Sequence, residues 1–177
     1  TVTVAAVNDA PTLTATGTNP TFPEGGSAVD LFGSVSISAV ESGQTVDELV
    51  FTVTNVTDGA AEVISIDGDT VALTDGNSGT TTTNSYGYSV SLTGTTATVT
   101  LTTTGTSSAA AQTLVDGLSY ANSSEDPTVA NRVVTLTSVT DSGGGTDTTT
   151  LAVASTVTVA AVNDAPTLTA TGTNPTF

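Results

Sequence analysis

The chain has no Cys, Met, Trp or His, and its only basic residue is Arg132 among 177 residues. Each absence removes a class of chemistry. Without His or Cys there is no zinc site of the usual kind, no Ser-His or Cys-His nucleophile pair and no disulfide. Without Lys there is no Schiff base, no P-loop lysine and no Lys–Asn isopeptide cross-link. The 17 acidic side chains against one basic give a formal charge of -16, which would repel nucleic acid, whose phosphates need clustered Lys and Arg. No run approaches the roughly 18 apolar residues of a membrane-spanning helix, and the first residues have neither the basic nor the apolar part of a signal peptide. A standard enzyme is excluded as the expectation; nucleic acid and membrane insertion go with it.

Hydrophobic residues make up 37% of the chain and charged ones only 10%, so the composition is that of a folding chain, not a disordered one. Threonine fills the space, with 42 copies. It is β-branched and half polar, suited to the wet face of a strand whose other face is apolar. Alternation recurs over 12–18, 28–39, 48–56, 62–66, 70–73, 86–92, 95–102, 132–140 and 148–162, with turn signals such as Asp58-Gly59, Asp67-Gly68 and Ser142-Gly143-Gly144-Gly145 between them. Over Ser107 to Leu118, Ala111, Leu114, Val115 and Leu118 fall at helical spacing behind a serine cap. The expected fold is all-β, an elaborated sandwich of about ten strands with one short helix packed over a sheet end. The Gly/Thr/Ser stretch near 75–85 reads as an elaboration, with a mobile hairpin tip at Thr80 to Asn84.

Residues Thr1 to Phe22 read TVTVAAVNDAPTLTATGTNPTF, and Thr156 to Phe177 repeat them without a difference, 155 positions later. Chance composition does not produce 22 identical residues. The chain therefore reads as one full repeat plus the start of the next, cut from a tandem array in which each unit contacts mainly its neighbours. Val-Asn-Asp-Ala-Pro at 7–11 and 162–166 breaks the alternation, and Pro holds its predecessor extended, which places the linkers. Residues 1–11 are then the end of a preceding repeat plus linker, 12–162 the sandwich, and 163–177 a linker plus the first strand of a following repeat. In isolation the expectation is a monomer whose overhanging strands offer end-to-end contacts, as exposed strand edges do.

Several acids sit in turns beside strand ends: Asn8-Asp9, Glu24, Glu125-Asp126, Asp141 with Asp147, and Asn163-Asp164. Calcium takes six to eight such hard oxygen ligands. Asp67, Asp75 and Asp116 read instead as solvated turn residues, since Asp favours turns for backbone reasons. Arg132 reads as a structural ion pair with Glu125 or Asp126. A helix-loop-helix calcium loop counted from Asp67 fails, because its twelfth position is Ser78. Asp141-Ser142-Gly143 is a single copy of a triplet whose protease chemistry needs two carboxylates sharing a proton.

Val-Asn-Asp-Ala-Pro resembles the linker of cadherin repeats, Pro23-Glu24 resembles the Pro-Glu after the first cadherin strand, and Val139-Thr140-Asp141 before glycines resembles the acidic loop ahead of the last strand. The whole unit resembles the cadherin-like, immunoglobulin-like extender repeats of large bacterial surface adhesins of the repeats-in-toxin (RTX) type. That resemblance implies an extracellular spacer on a bacterial cell surface, in cell adhesion and biofilm. Its partners would be neighbouring repeats, and Ca2+ at the linkers would make the string rigid. Up-and-down topology places Asn8, Asp9, Asp141 and Asp147 at one pole and Glu24, Glu125, Asp126, Asn163 and Asp164 at the other. The alternative is an adhesive module binding sugar, ice or a protein surface through Thr-x-Thr patterns at Thr98 to Thr102 and Thr146 to Thr150. A carboxylate-pair hydrolase has no pair singled out by spacing.

Overall fold

A computed structural model describes residues 7–173. In chain order the strands are β1 (Thr12–Gly17), β2 (Thr21–Pro23), β3 (Val29–Asp30), β4 (Phe32–Ser38), β5 (Val46–Val53), β6 (Glu62–Ile66), β7 (Asp69–Ala72), β8 (Ser78–Thr80), β9 (Gly87–Thr93) and β10 (Thr96–Thr106). Helix α1 (Ser108–Asp116) follows, then β11 (Ser119–Asn122), β12 (Arg132–Asp141) and β13 (Thr148–Ala160). The fold is all-β and sandwich-like, as the alternation implies. Among the described residues the strands number thirteen rather than about ten, for local reasons. The run 28–39 is cut at Leu31 into β3 and β4, and the three-residue strands β2 and β8 are too short to show a period.

Three sheets form: β1-β4, β2-β13-β12-β5-β10-β9-β8, and β3-β11-β6-β7. Among the described residues all pairings are antiparallel except β2 with β13, which is parallel. That exception comes from a crossover after β1. Gly17 lies so close to β13 that a Cβ there would collide with the Ala154 carbonyl. Asn19 takes a left-handed backbone (φ 49), and its side-chain oxygen accepts from Thr156 N at 2.9 Å. The chain thus leaves β4 and crosses to β13 within four residues.

Period-2 side chains of all three sheets meet in one core. Phe22, Phe51, Val134, Leu136 and Val157 come from the large sheet, Leu13 and Ile37 from the β1-β4 pair, and Ile64, Val71 and Tyr120 from the third. The Phe22 and Tyr120 rings meet edge to face at 5.6 Å. Helix α1 closes the core with Ala111, Leu114 and Val115, and Ser107 caps it by accepting from Ala110 N at 3.2 Å. Among the described residues no helix is long and apolar enough to cross a membrane.

The expected mobile tip at Thr80 to Asn84 is instead fastened. Asp67 accepts from Thr81 Oγ1 at 2.7 Å, Asn84 N at 2.8 Å and Asn84 Nδ2 at 2.5 Å. Asp69 accepts from Thr82 N at 2.5 Å and Thr82 Oγ1 at 2.9 Å. Two turn carboxylates satisfy the tip's donors, so composition alone misjudged it. Residues 1–6 and 174–177, which carry parts of the two overhanging strands expected from the repeat, lie outside the described residues. The adjoining 163–173 carry no regular element and are exposed.

Candidate functional site

The β12–β13 hairpin sets up the first pole. Asp141 ends β12, is 3% exposed, and its Oδ1 accepts from Gly143 N at 2.8 Å, turning the chain back toward β13. The irregular stretch ahead of β1 packs into this turn. Asn8 donates to Thr146 O at 2.5 Å and to Asp141 Oδ1 at 3.4 Å, and lies so tightly on Gly143 that no Cβ would fit there. Asp9 contributes its backbone N–H, to Glu41 Oε1 at 3.0 Å. Gln44 turns its side-chain amide to Asn8 Oδ1. Asp147 binds the neighbouring Thr148 hydroxyl at 3.1 Å through its carboxylate, and its carbonyl accepts from Asp141 N at 2.9 Å. Asn8 and Asp141 are therefore in contact, but as a hydrogen-bonded latch. Sequence reading missed Glu41 and Gln44, whose Glu-Ser-Gly-Gln context reads as a plain turn.

The second pole is different. Backbone pairing of β2 with β13 continues into Glu24, whose N–H donates to Ala160 O at 2.9 Å. This fixes Glu24 beside the chain leaving β13, where its Oε2 accepts from Val162 N at 2.7 Å. Its other oxygen, Oε1, is buried and has no hydrogen-bond partner. Glu125, from the β11–β12 loop, and Asp164, from the irregular stretch after β13, each bring a carboxylate oxygen so that the three lie within 4.8 Å of one another. Among the described residues this is the one such group of three. Asp126 does not join it; its backbone N–H donates to Ser124 Oγ at 3.2 Å. Asn163 stays local, donating to the Asp164 carbonyl at 3.0 Å.

In comparisons with protein-family models, curated proteins and solved structures, the chain matches none.

What holds the Glu125 loop in place is Arg132, and its partners are not Glu125 or Asp126. The guanidinium is fully buried and all five donors are used. Nε and Nη2 reach the two Glu62 oxygens at 2.9 Å each, and Nη2 reaches Asp58 at 3.0 Å. Nη1 meets the carbonyls of Thr128 and Ala130 at 2.6 and 2.5 Å. Glu62, also fully buried, accepts further from Thr57 N and Asp58 N at 2.8 Å and from Tyr120 OH at 3.1 Å. Burial and the Glu62 charge push the Tyr120 hydroxyl well above its usual range. Burial also works to raise Asp58, but hydrogen bonds from Thr128 and Asn122 and the Arg132 charge outweigh it and hold that carboxyl below its usual value. The sequence signal was an Asp and a Glu four residues apart around a Gly turn, in a chain with one base.

The single cation is thus consumed inside the fold. Glu24, Glu125 and Asp164 face one another with no base to neutralise them. Three carboxylates offer up to six oxygens, the donor type and number calcium takes, and a buried oxygen without a donor is the state a metal ligand has before the ion arrives. The residues fit a hard divalent cation.

Proposed function

We propose that the chain is a structural spacer: an extender module of a long bacterial cell-surface adhesin, stiffened by Ca2+ at the linkers between repeats. The observation that carries this reading is the convergence of Glu24, Glu125 and Asp164 with one buried oxygen unpartnered. These three come from the end of β2, the loop before β12 and the linker after β13. An ion bridging them would tie the linker to the body of the unit and fix the direction in which the next unit leaves. It would also replace mutual repulsion by attraction, stabilising the state that binds it.

Calorimetric titration with Ca2+ tests this, paired with melts in calcium and in chelator. Binding in roughly the micromolar to millimolar range is expected. Calcium at about a hundred times Kd should add about 2.7 kcal/mol, or about 5–10 °C in melting temperature for a chain of this size. Glu24→Gln and Asp164→Asn should each abolish most of that gain. Absence of binding, or a gain unchanged in both variants, would overturn the reading.

A second reading, a surface that binds a ligand through ordered hydroxyls, has one supporting observation. Ser91, Thr98, Thr52 and Thr135 lie opposite one another across β9, β10, β5 and β12 on the outer face of the large sheet. Retention of the chain on ice or on a glycan array, lost on Thr98→Val, would favour it.

A further inference from the structure

A cleft runs between the fastened tip and helix α1. One lobe, about 420 Å³, has Asp67, Asn84 and Tyr86 on one side and Ala110, Thr113 and Leu114 on the other. A second lobe of about 670 Å³ continues past Ser85 to Thr102, Thr104 and Ser107, and Asn84, Tyr86 and Ala110 belong to both. Each lobe is in the size range of small-molecule sites. The walls are held without a ligand. Asp67 fixes Asn84 through its backbone N–H at 2.8 Å and its side-chain amide at 2.5 Å. Tyr86 is locked to Thr81 by two bonds, from Tyr86 N to Thr81 Oγ1 at 3.0 Å and from Thr81 N to the Tyr86 carbonyl at 2.8 Å.

Tyr86 is 7% exposed, yet among the described residues it makes hydrogen bonds only through its backbone. Its hydroxyl is not sealed in the core either, because Glu24 Oε1 is the one buried side-chain oxygen or nitrogen there that lacks a partner. The hydroxyl therefore opens on the cleft that Tyr86 lines. A tyrosine buried to this degree ordinarily spends its O–H on a protein partner. Here that bond is left for a molecule in the cleft.

The chemistry of the walls selects the occupant. No base lines the cleft, since Arg132 is buried against Glu62, and a chain of charge -16 repels anions. Asp67 needs no cation, because its carboxylate already accepts three hydrogen bonds. What remains is a set of hydroxyl and amide groups, on Tyr86, Asn84, Thr113, Thr102 and Thr104, beside the apolar surface of Ala110 and Leu114. Such a lining fits a neutral ring with hydroxyls on its rim and C–H groups on its face. We propose that this cleft binds a neutral saccharide, one ring to a lobe, with the Tyr86 hydroxyl and Asn84 as its polar anchors and Leu114 against the first ring. The cleft lies at the end of β6 opposite Glu62, apart from the three carboxylates, so the proposal stands independently of any cation.

Amide NMR on the isotope-labelled full-length chain, in chelator, tests this. The probes are the methyl glycosides of glucose, galactose, mannose, N-acetylglucosamine and fucose, with choline as a cationic control. At least one glycoside should shift the amides of Asn84, Tyr86, Ala110 and Gly117 saturably, with a Kd of about millimolar for a ligand of about a dozen heavy atoms. Thr98 and Thr135, on the outer face of the large sheet, should not move. Tyr86→Phe removes the hydroxyl and keeps the ring that fills the core, so binding should weaken about three- to tenfold with the melting temperature unchanged. Ala110→Leu, on the helix where the two lobes join, should abolish binding by filling the space. No saturable shift at these amides with any glycoside would overturn the proposal. So would shifts with choline alone, or a glycoside affinity that is the same in Tyr86→Phe and Ala110→Leu as in the native chain.

Discussion

Arg132 has the largest expected effect of any single side chain. It is the one base in a chain of 17 acids, it is fully buried, and it spends every donor on Glu62, Asp58 and two carbonyls of the loop that carries Glu125. Arg132→Met would leave Glu62 as an uncompensated buried charge, a change that costs about 3–5 kcal/mol. Calorimetry should show a loss on the order of ten degrees in melting temperature. The same scale sets the response to acid. Asp67 is held below its usual value: burial raises it, but hydrogen bonds from Thr81 and Asn84 outweigh that. A carboxyl depressed in the folded state adds stability that is complete above its unfolded value, about 3.9, and is lost as pH falls through the folded one. The gap in urea midpoint between the native chain and Asp67→Asn should therefore be constant from about pH 7 to 5 and shrink steadily below about pH 4. A gap that does not change with pH would refute that assignment.

Elements divide into those with a visible period and those without one. β5, β6, β10, β12 and β13 alternate over five to thirteen residues, enough to read directly, and α1 declares itself by the Ser107 cap and the spacing of Ala111, Leu114 and Val115. β2, β3 and β8 span two or three residues. They exist because a neighbour offers a ladder, a property of the neighbour. The tip at Thr80 to Asn84 follows the same rule: its polar, small residues resemble a loose loop until Asp67 and Asp69 are brought beneath it. Replacing Asp67 with Ala should release it, seen as faster amide exchange at Thr82 and Asn84 with the β9–β10 amides unaffected. Uniform exchange across the chain would place the effect on global stability instead.

For the whole molecule, the proposed spacer reading turns on how one unit is set against the next. At the first pole Asn8 hydrogen-bonds Asp141 and Thr146 and packs closely on Gly143. The second pole leaves carboxylates facing each other across the linker. On the proposed reading, a chain of two whole repeats should scatter X-rays as a longer, narrower particle in calcium than in chelator; identical profiles would end the rod mechanism. The sequence alone was enough for the all-β class, the capped helix and the repeated segment, because these follow from period, turn chemistry and identity along the chain. It also placed the acids in two groups by the direction of successive strands. Which acids meet was decided only by the tertiary structure. Arg132 lies 70 positions from Glu62 and 74 from Asp58, and Glu24, Glu125 and Asp164 come from three separate turns. A carboxylate's role here depends on which oxygen finds a donor, and that is settled by strand pairing and packing, not by the residues on either side of it.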